Sequence, residues 1–369
     1  MKILITGSRG FIGKNLFAEL NNRGYNEIYE YNSDTPEELL EIYTSDCDFV
    51  YHLAGVNRPQ IDNEYIEGNI NLTAKLLALL KKNRNSSPIL ITSSIQANLD
   101  NPYGRSKKTA ENLLYDYSRT SGAKVLIYRL PNVFGKWCRP NYNSVVSTYC
   151  YNISRDLDIS ITDPMKELTL CYIDDVVEEF LNALDNNETK DTEFCLVPIT
   201  YKIKLGELAH RLYEFKDNRD TLIIPSLENK LDKALYATYL SYLDNQNFSY
   251  KLKKNADNRG WLTEFIKSES TGQIFISKTN PGVTRGNHWH HTKVEKFFVI
   301  QGSAIVKFRK FNTNEIIEYE VSGENPEVVD IPAGYIHSIT NNGSGELLTL
   351  FWASEIFDKN NSDTYGENV

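Results

Sequence analysis

The chain has 369 residues, of which 41% are hydrophobic, and this length predicts two domains rather than one hydrophobic core. Its formal net charge is −9 and lysine and arginine dominate no segment, which argues against a nucleic acid or an anionic membrane as a partner. No apolar run approaches the ~20 residues of a membrane span, and five scattered cysteines lack CxxC spacing. We therefore expect a cytoplasmic protein without disulfides or a cysteine metal site.

Short apolar runs alternate with amphipathic stretches in the first part of the chain. Those that read as strands are KILIT, NEIYEY, DFVYHLAG, PILITSS and KVLIYRL, and the stretches between them have helical spacing. Strand and helix in alternation predict a parallel sheet covered on both faces, that is, an α/β Rossmann-type doubly wound domain.

A glycine-rich turn, ITGSRGFIG, follows the first strand and opens the first helix. Glycines there let the backbone turn tightly and let a pyrophosphate approach the helix N-terminus, so this context favours dinucleotide binding over a merely structural turn. The GxxGxxG form resembles the extended short-chain dehydrogenase/reductase family. The predicted cofactor-binding residues in this turn are Gly7, Arg9, Gly10, Phe11, Ile12 and Gly13.

That resemblance implies a Tyr-x-x-x-Lys pair after the fourth strand, and YGRSK supplies Tyr103 and Lys107 there. The spacing alone is weak, but Tyr103 opens a predicted helix directly after PILITSS. Residues four apart share a helical face, so the ammonium of Lys107 can lower the pKa of the phenol. Tyr103 would then donate a proton to a ketone that receives hydride. The alternative is an ordinary solvated helix start.

The same resemblance assigns further residues around this site. Among the hydroxyls of TSSIQ, it favours Ser94 as the group that polarises the ketone, and Lys107 also holds the cofactor ribose. HLAG is similar to the segment beside the cofactor riboses, where Leu53, Ala54 and Gly55 would bind. RLPNVFG and CRPNYN resemble the substrate side, although the second stretch also reads as a structured loop. The predicted substrate residues there are Asn132, Arg139, Asn141 and Asn143.

The expected nucleotide is NADPH. An NAD enzyme usually carries an acidic residue at the end of the second strand, and counting from the glycines places that end at Tyr31 or Asn32. By strand alternation Glu30 should face the other way. Arg9, inside the glycine turn, could instead contact a 2′-phosphate.

Beyond about residue 245 the helical signal gives way to short strands separated by glycine and asparagine turns, such as GQIFISKT, EIIEYEVSG and LLTLFWA. This pattern predicts a second, all-β domain. We therefore expect an NADP-binding domain over 1–245 and a β domain over 246–369.

A histidine cluster, GNHWHHTKVE, lies in the β domain, and PAGYIHSITN follows it. Their spacing resembles the two sequence motifs of the cupin family, a jelly-roll barrel. On a strand His288 and His290 share one face, while His291 faces away. Together with Glu295 and His337 they form a set that suits Zn²⁺ or another divalent metal, whereas chance histidines in a β core are the alternative.

Another stretch, DNRGWLTEF, is similar to the opening of the cupin-fold sugar-nucleotide epimerases, which implies substrate contacts for Asp257, Arg259 and Glu264. In that family the segment matching RGNH supplies the base, here His288. A histidine bound to a metal cannot also be a free base, so both roles of His288 stay open.

Four stretches spread along the chain resemble the CapF-type capsular polysaccharide enzymes: YHLAGVNRP, DNPYGRSK, GKWCRPNYNSV and TRGNHWHHTKVEKF. This resemblance implies a homodimer that acts on a UDP-4-keto-6-deoxy-N-acetylhexosamine. The cupin domain would invert C3, and the reductase domain would then reduce C4 with NADPH to give UDP-2-acetamido-2,6-dideoxy-L-talose. The alternatives are a single-activity UDP-sugar 4-ketoreductase with a structural or dimerising cupin domain, and a non-enzymatic NADP-sensing module.

Overall fold

The structure, a computed structural model, describes residues 1–59, 61 and 63–369. It divides into two compact units. The N-terminal unit comprises Met1–Leu212 and Lys233–Asp244, and the C-terminal unit comprises Tyr213–Asp232 and Asn245–Val369. Within the described ranges, none of the helices has the length and apolarity that a membrane crossing requires.

The N-terminal unit contains the predicted parallel sheet, with strand order β2-β1-β3-β4-β5. The order in which successive strands join the sheet reverses between β1 and β3. Ligands of such sheets bind at this point, beside the carboxyl ends of the strands. A smaller sheet has the order β6-β7-β8. The strands are β1 Ile3–Thr6, β2 Ile28–Tyr31, β3 Phe49–His52, β4 Ile89–Ser94, β5 Val125–Leu130, β6 Asn132–Phe134, β7 Glu167–Tyr172 and β8 Tyr201–Lys204.

Helices connect these strands. They are α1 Phe11–Asn22, α2 Glu37–Asp46, α3 Asn63–Tyr65, α4 Leu72–Lys82, α5 Pro102–Ser121, α6 Val145–Ile153, α7 Ile173–Leu184, α8 Leu205–Thr221 and α9 Lys230–Ser241, with a π-helix at Ile66–Asn71 and 3₁₀ turns at Ile95–Asn98 and Asn245–Asn247. Helix α5 begins sharply because the Asn101 side chain accepts from the Gly104 amide and Pro102 occupies the first turn, and it ends at Gly122, whose φ is 75°.

The main sheet is buried on both faces. Ile3 and Ile5 pack on one face against α1 and α7, while Leu4 packs on the other against α4 and α5. This confirms the predicted Rossmann-type fold. The five cysteines are all buried and unpaired, and burial raises the pKa of each thiol.

The C-terminal unit contains two antiparallel sheets, with orders β16-β13-β18-β11-β10-β9 and β15-β14-β17-β12-β19. Phe297 and Phe351 of the first sheet pack with Val306 and Phe308 of the second in one core, as in a cupin-like barrel. The strands are β9 Lys254–Asp257, β10 Gly260–Ser268, β11 Gly272–Thr279, β12 Thr284–Trp289, β13 Glu295–Gln301, β14 Ser303–Lys310, β15 Ile316–Ser322, β16 Val328–Ile331, β17 Tyr335–Asn341, β18 Leu347–Ala353 and β19 Tyr365–Gly366.

Candidate functional site

The glycine turn lies where β1 and β3 end. Gly7 has a φ of 75°, and a Cβ built on it would lie 2.7 Å from the Ala54 backbone. A Cβ on Gly13 would lie 2.2 Å from the Gly7 carbonyl oxygen. The Leu53 and Ala54 amides donate to the Thr6 carbonyl and hydroxyl oxygens, respectively. The structure therefore brings the turn and the HLAG segment together, with α1 beginning at Phe11 beside them.

The side chains at the end of β2 differ from one prediction. Ser8 donates its hydroxyl to the Glu30 carboxylate at 2.6 Å, and the Asn32 side-chain oxygen accepts from the Arg9 amide at 3.2 Å. The prediction that Glu30 faces away from the glycine turn is wrong, because residues two apart on a strand share a face and Asn32 also faces the turn. The Arg9 guanidinium is exposed and forms an ion pair with Asp34 at 2.6 Å.

The predicted catalytic tyrosine lies in the first turn of α5. Burial raises the pKa of Tyr103 to about 12, and a hydrogen bond with Ser94 acts in the opposite direction. The amide of Asn57 donates to the Tyr103 hydroxyl oxygen at 3.3 Å. At neutral pH the phenol is therefore protonated and has two polar neighbours. The expected lowering of this pKa by Lys107 is not found, because burial decides its direction.

Lys107 is only 8% exposed, and its Nζ lies 5.9 Å from the centre of the Tyr103 ring. It donates to the Thr92 carbonyl at 3.0 Å. Burial lowers the pKa of Lys107 to about 8, while the charge of Glu111 acts to raise it. A Cβ on Gly55 would lie 3.1 Å from this ammonium, so the absence of a side chain at position 55 allows the approach.

The three hydroxyls of TSSIQ have different partners. Ser93 donates to the buried Glu111 at 2.6 Å, whereas Ser94 contacts Tyr103 and accepts from the Gln96 amide. Ser94 is therefore the hydroxyl placed beside the phenol. Its assignment, like those of Tyr103 and Lys107, stays a prediction supported by this geometry.

His52, the first residue of HLAG, is almost fully buried. Its two ring nitrogens lie 2.7 and 2.8 Å from the hydroxyls of Thr6 and Thr73. Burial lowers its pKa to about 3, so it stays neutral and connects β3 to α4.

The residues that follow HLAG also belong to this site, although they were not predicted from the sequence. Besides Asn57, Tyr65 lies with its ring 5.8 Å from that of Tyr103 and donates its hydroxyl to the Asn57 carbonyl at 2.9 Å. The Tyr142 hydroxyl accepts from the Arg58 amide at 3.3 Å. The stretch VNRP, directly after HLAG, contains Asn57 and Arg58, and its polar residues were the signal that could have identified this part of the site.

The predicted substrate residues of this unit lie on β6 and the loop that follows. Asn132 donates to the Thr169 carbonyl at 3.2 Å, and the Arg139 guanidinium lies 5.4 Å from the Tyr142 ring. Asn141 has a φ of 55° and its amide donates to the Thr148 hydroxyl, while Asn143 is exposed. The loop is thus structured, and the substrate role of these residues stays a prediction.

The four predicted metal ligands lie together in the C-terminal unit. Their donor atoms are all within 4.8 Å of one another: His288 and His290 from the end of β12, Glu295 from β13 and His337 from β17. His288 pairs with His337 in register, whereas Glu295 belongs to the facing sheet rather than to an adjoining strand of the same sheet. The cluster therefore lies between the two sheets.

The donor chemistry fits a divalent metal. The Nε2 atoms of His290 and His337 are buried without a hydrogen-bond partner among the described residues, and they lie 3.7 and 3.5 Å from the Glu295 carboxylate oxygens. Their Nδ1 atoms face the carbonyl oxygens of Asp363 and Tyr335. Because a carbonyl can only accept, each Nδ1 carries the proton and each Nε2 has a free lone pair.

The electrostatics agree with this fit. Burial lowers the pKa of His288 to about 4, so this imidazole is neutral at physiological pH. Neutral imidazoles with one carboxylate form a donor set for Zn²⁺ or a similar ion. His291 packs instead against Trp289, outside this set.

The remaining predicted substrate residues pair locally. Arg259 binds the Asp257 carboxylate through Nε and Nη2, and Glu264 pairs with Lys267 at 3.0 Å. Burial, and then the charge of Arg259, lower the pKa of Arg285, three residues before His288. Arg285 was missed, although TRGNH contained the signal. The substrate roles of Asp257, Arg259 and Glu264 stay predictions.

Two family models match the chain: the NAD dependent epimerase/dehydratase family over residues 3–196, and the polysaccharide biosynthesis C-terminal domain over residues 255–365. A UDP-2-acetamido-2,6-beta-L-arabino-hexul-4-ose reductase of Pseudomonas aeruginosa is 44% identical over 369 residues, which is 100% of this chain and 99% of that protein. The resemblance thus extends over both units.

Solved structures give the same result. The capsular polysaccharide assembling protein CapF from Staphylococcus aureus is 48% identical, with a TM-score of 0.94 and full coverage of both chains. The UDP-glucuronic acid 4-epimerase from Bacillus cereus in complex with NAD is 20% identical, with a TM-score of 0.55 over 66% of this chain and 96% of that one, and shows the fold alone. The chain therefore belongs to the NAD-dependent epimerase/dehydratase family, as a member of its CapF-type branch of capsular polysaccharide enzymes.

Proposed function

We propose that the chain is a bifunctional UDP-sugar enzyme. The C-terminal unit epimerises C3 of a UDP-4-keto-6-deoxy-N-acetylhexosamine, and the N-terminal unit then reduces the C4 ketone with NADPH. The product is UDP-2-acetamido-2,6-dideoxy-L-talose. The observation that carries this proposal is the meeting of Tyr103, Ser94 and Lys107 beside the glycine turn, in a chain 44% identical throughout to a hexul-4-ose reductase.

In the reduction, Tyr103 acts as proton donor to the ketone oxygen. The phenol is suited to this because its raised pKa keeps it protonated at neutral pH, and Ser94 donates a second hydrogen bond to the same oxygen. As the proton leaves, the Lys107 ammonium and the Asn57 amide stabilise the phenolate. The nicotinamide cofactor, when bound with its pyrophosphate at the glycine turn, supplies the hydride.

The cofactor preference rests on Arg9. Its guanidinium is exposed beside the glycine turn, where it can exchange its ion pair with Asp34 for the 2′-phosphate of NADPH. The family model that covers this unit is named for NAD, and it supports a nicotinamide cofactor without distinguishing NADPH from NADH.

The epimerisation must come first. Removal of the C3 proton leaves a carbanion that only the neighbouring C4 carbonyl can stabilise as an enolate, and reduction destroys that carbonyl. A divalent metal held by His288, His290, Glu295 and His337 would supply Lewis-acid polarisation of a carbonyl oxygen. His288 either holds this metal or takes the proton.

The proposal also includes a homodimer, which the family resemblance implies. Its remaining parts come from the residues themselves: a cytoplasmic location from the composition, Zn²⁺ from the donor set, and a domain boundary at residues 245/246 from the change to short strands. The UDP-sugar contacts are expected from Asn132 and the loop 137–143.

An isotope experiment tests the two-site assignment. On the 4-keto substrate, Tyr103→Phe should abolish NADPH oxidation but leave exchange of the C3 proton with D₂O, followed by NMR. His290→Ala should suppress the exchange. Tyr115→Phe on the same helix and His210→Ala on the exposed face of α8 are the matched controls, for which both rates should stay within about twofold of the original chain.

Three results would change the assignment. Loss of exchange in a folded Tyr103→Phe chain would show that one site performs both steps. Absence of exchange in the original chain, with turnover kept after deletion of 246–369, would favour the single-activity ketoreductase. A flat NADPH absorbance with every 4-keto sugar would favour the non-enzymatic NADP-sensing module.

A further inference from the structure

The segment 363–369, which we call the strap, lies along the strand that carries two of the metal ligands. Within it, β19 pairs antiparallel with β12, so that Gly366 lies opposite His288 and Tyr365 lies opposite Trp289. The Tyr365 ring stacks on Trp289 with centroids 5.0 Å apart and lies 4.9 Å from the His291 ring. The strap thus covers the face of β12 that points away from the donor atoms.

The first residue of the strap makes the most specific contacts. One Asp363 carboxylate oxygen accepts from the amide of His291 at 2.9 Å, and the other accepts from the amides of Thr292 and Lys293 at 2.8 and 2.9 Å. The Thr292 hydroxyl donates to the same group at 3.1 Å. These hydrogen bonds hold the pKa of Asp363 well below its usual range, although burial acts in the opposite direction.

Residues 291–293 are the connection between His290 and Glu295, two of the four ligands. In the same residue, the Asp363 carbonyl oxygen accepts from Nδ1 of His290 at 2.5 Å. One residue therefore fixes both the tautomer of a ligand and the turn that leads to the next ligand. An acceptor on Nδ1 leaves the Nε2 lone pair directed at the Glu295 carboxylate.

The other end of the strap is anchored independently. Glu367 forms an ion pair with Arg309 at 2.6 Å, and its amide donates to the Asn287 carbonyl at 3.0 Å. Asn287 itself has a φ of 59° and lies at the irregularity of β12 between Gly286 and His288. Anchors on both sides hold the Asp363 carbonyl in a fixed position against His290.

We propose that Asp363 is a positioning residue of the metal centre, which orients His290 through its carbonyl and the 291–293 turn through its carboxylate. The proposal rests on the proposed metal site. Without the carboxylate the turn is free to move and the carbonyl leaves Nδ1, so that His290 samples both tautomers and the affinity for the metal falls. Loss of a group of this kind lowers metal affinity by roughly 10- to 100-fold.

The test is the affinity of the purified full-length protein for Zn²⁺, measured by competition with a chromophoric chelator, together with the visible spectrum of the Co²⁺ form. Asp363→Ala should weaken Zn²⁺ binding by roughly 10- to 100-fold and alter the intensity of the Co²⁺ bands. A chain that ends at Ser362 should lose at least as much, because it also lacks the carbonyl.

The matched control is Asp358→Asn, which changes a carboxylate in the same stretch that accepts from the Asn360 amide. It should bind Zn²⁺ within about twofold of the original chain. Far-UV circular dichroism and the thermal midpoint establish that each variant is folded, and if the shortened chain is not, Asp363→Ala decides.

The failures are distinguishable. If the original chain binds neither Zn²⁺ nor Co²⁺, the metal site and the role of Asp363 are both overturned. If the original chain binds Zn²⁺, His290→Ala loses it and Asp363→Ala keeps the original affinity and Co²⁺ spectrum, the metal site stands and the positioning role is overturned.

Discussion

Replacement of Lys107 by methionine should raise the free energy of unfolding and also abolish NADPH oxidation. The ammonium is fully buried, and its pKa falls from 10.5 to about 8 because burial disfavours the charge. Each pKa unit is worth about 1.4 kcal/mol, so at neutral pH the buried charge costs about 3 kcal/mol. Methionine keeps most of the apolar chain and removes that cost, but it leaves the Thr92 carbonyl without the ammonium. A net gain of about 1–3 kcal/mol is expected.

The lowered pKa of Lys107 also determines how the free energy of unfolding changes with pH. The folded chain binds fewer protons at Lys107 than the unfolded chain between about pH 8 and 10.5. The stability of the original chain therefore rises with pH across that window, because the cost of the charge is present in full below it and has gone above it. The advantage of Lys107→Met should shrink accordingly as the pH approaches 10.5.

Urea unfolding followed by circular dichroism, at neutral pH and near pH 10, measures this advantage. NADPH oxidation should fall by roughly 100-fold or more, because the phenolate of Tyr103 loses its cation. Lys81→Met, on the exposed face of α4, is the control and should change neither quantity. A Lys107→Met chain less stable than the original at neutral pH, or an advantage independent of pH, would refute the reasoning.

Three other predictions concern separate groups. Arg9→Ala should raise the KM for NADPH roughly tenfold in initial-rate assays, because it removes the contact with the 2′-phosphate. The KM for NADH should stay within about twofold, and an equal increase for both nucleotides would contradict this contact. Arg129→Leu should lower the free energy of unfolding by about 3–5 kcal/mol in urea, because the fully buried Glu111 loses its two-point partner at 2.6 and 2.8 Å. Since Arg129 and Ser93 outweigh burial and hold the pKa of Glu111 below 4.5, this loss should be present above that pH and fade as the pH falls through the folded value. Zn²⁺ at 100 times its Kd should stabilise the C-terminal unit by about 2.7 kcal/mol, an effect that a chelator reverses and that His337→Ala lacks.

Patterns among residues close together in the sequence predicted much of the fold. The alternation of strand and helix predicted the parallel sheet. The helix that was expected to open at Tyr103 begins within one residue of that position, at Pro102. The spacing of His288 and His290 was equally informative, because alternation along a strand decides which side chains share a face. Such signals depend only on neighbours within a few residues.

Contacts between residues far apart in the sequence could not be predicted from such local patterns. Asp363 is separated from His290 by 73 residues, and nothing near either residue indicates their hydrogen bond. The orientation of Glu30 was misjudged because it depended on where β2 ends, and strand ends are the least certain part of a pattern. Asn57 lies in a connection without periodicity, so only the folded chain shows that it contacts Tyr103.

The buried cysteines have a practical consequence. Maleimide reagents attack accessible thiolates, and all five native thiols are buried with pKa values above the ordinary range. The natural sequence is therefore a ready background for fluorescent labelling, in which a cysteine introduced on an exposed helix reacts alone. One dye on each unit would report by energy transfer whether the distance between them changes when nucleotide or sugar is added.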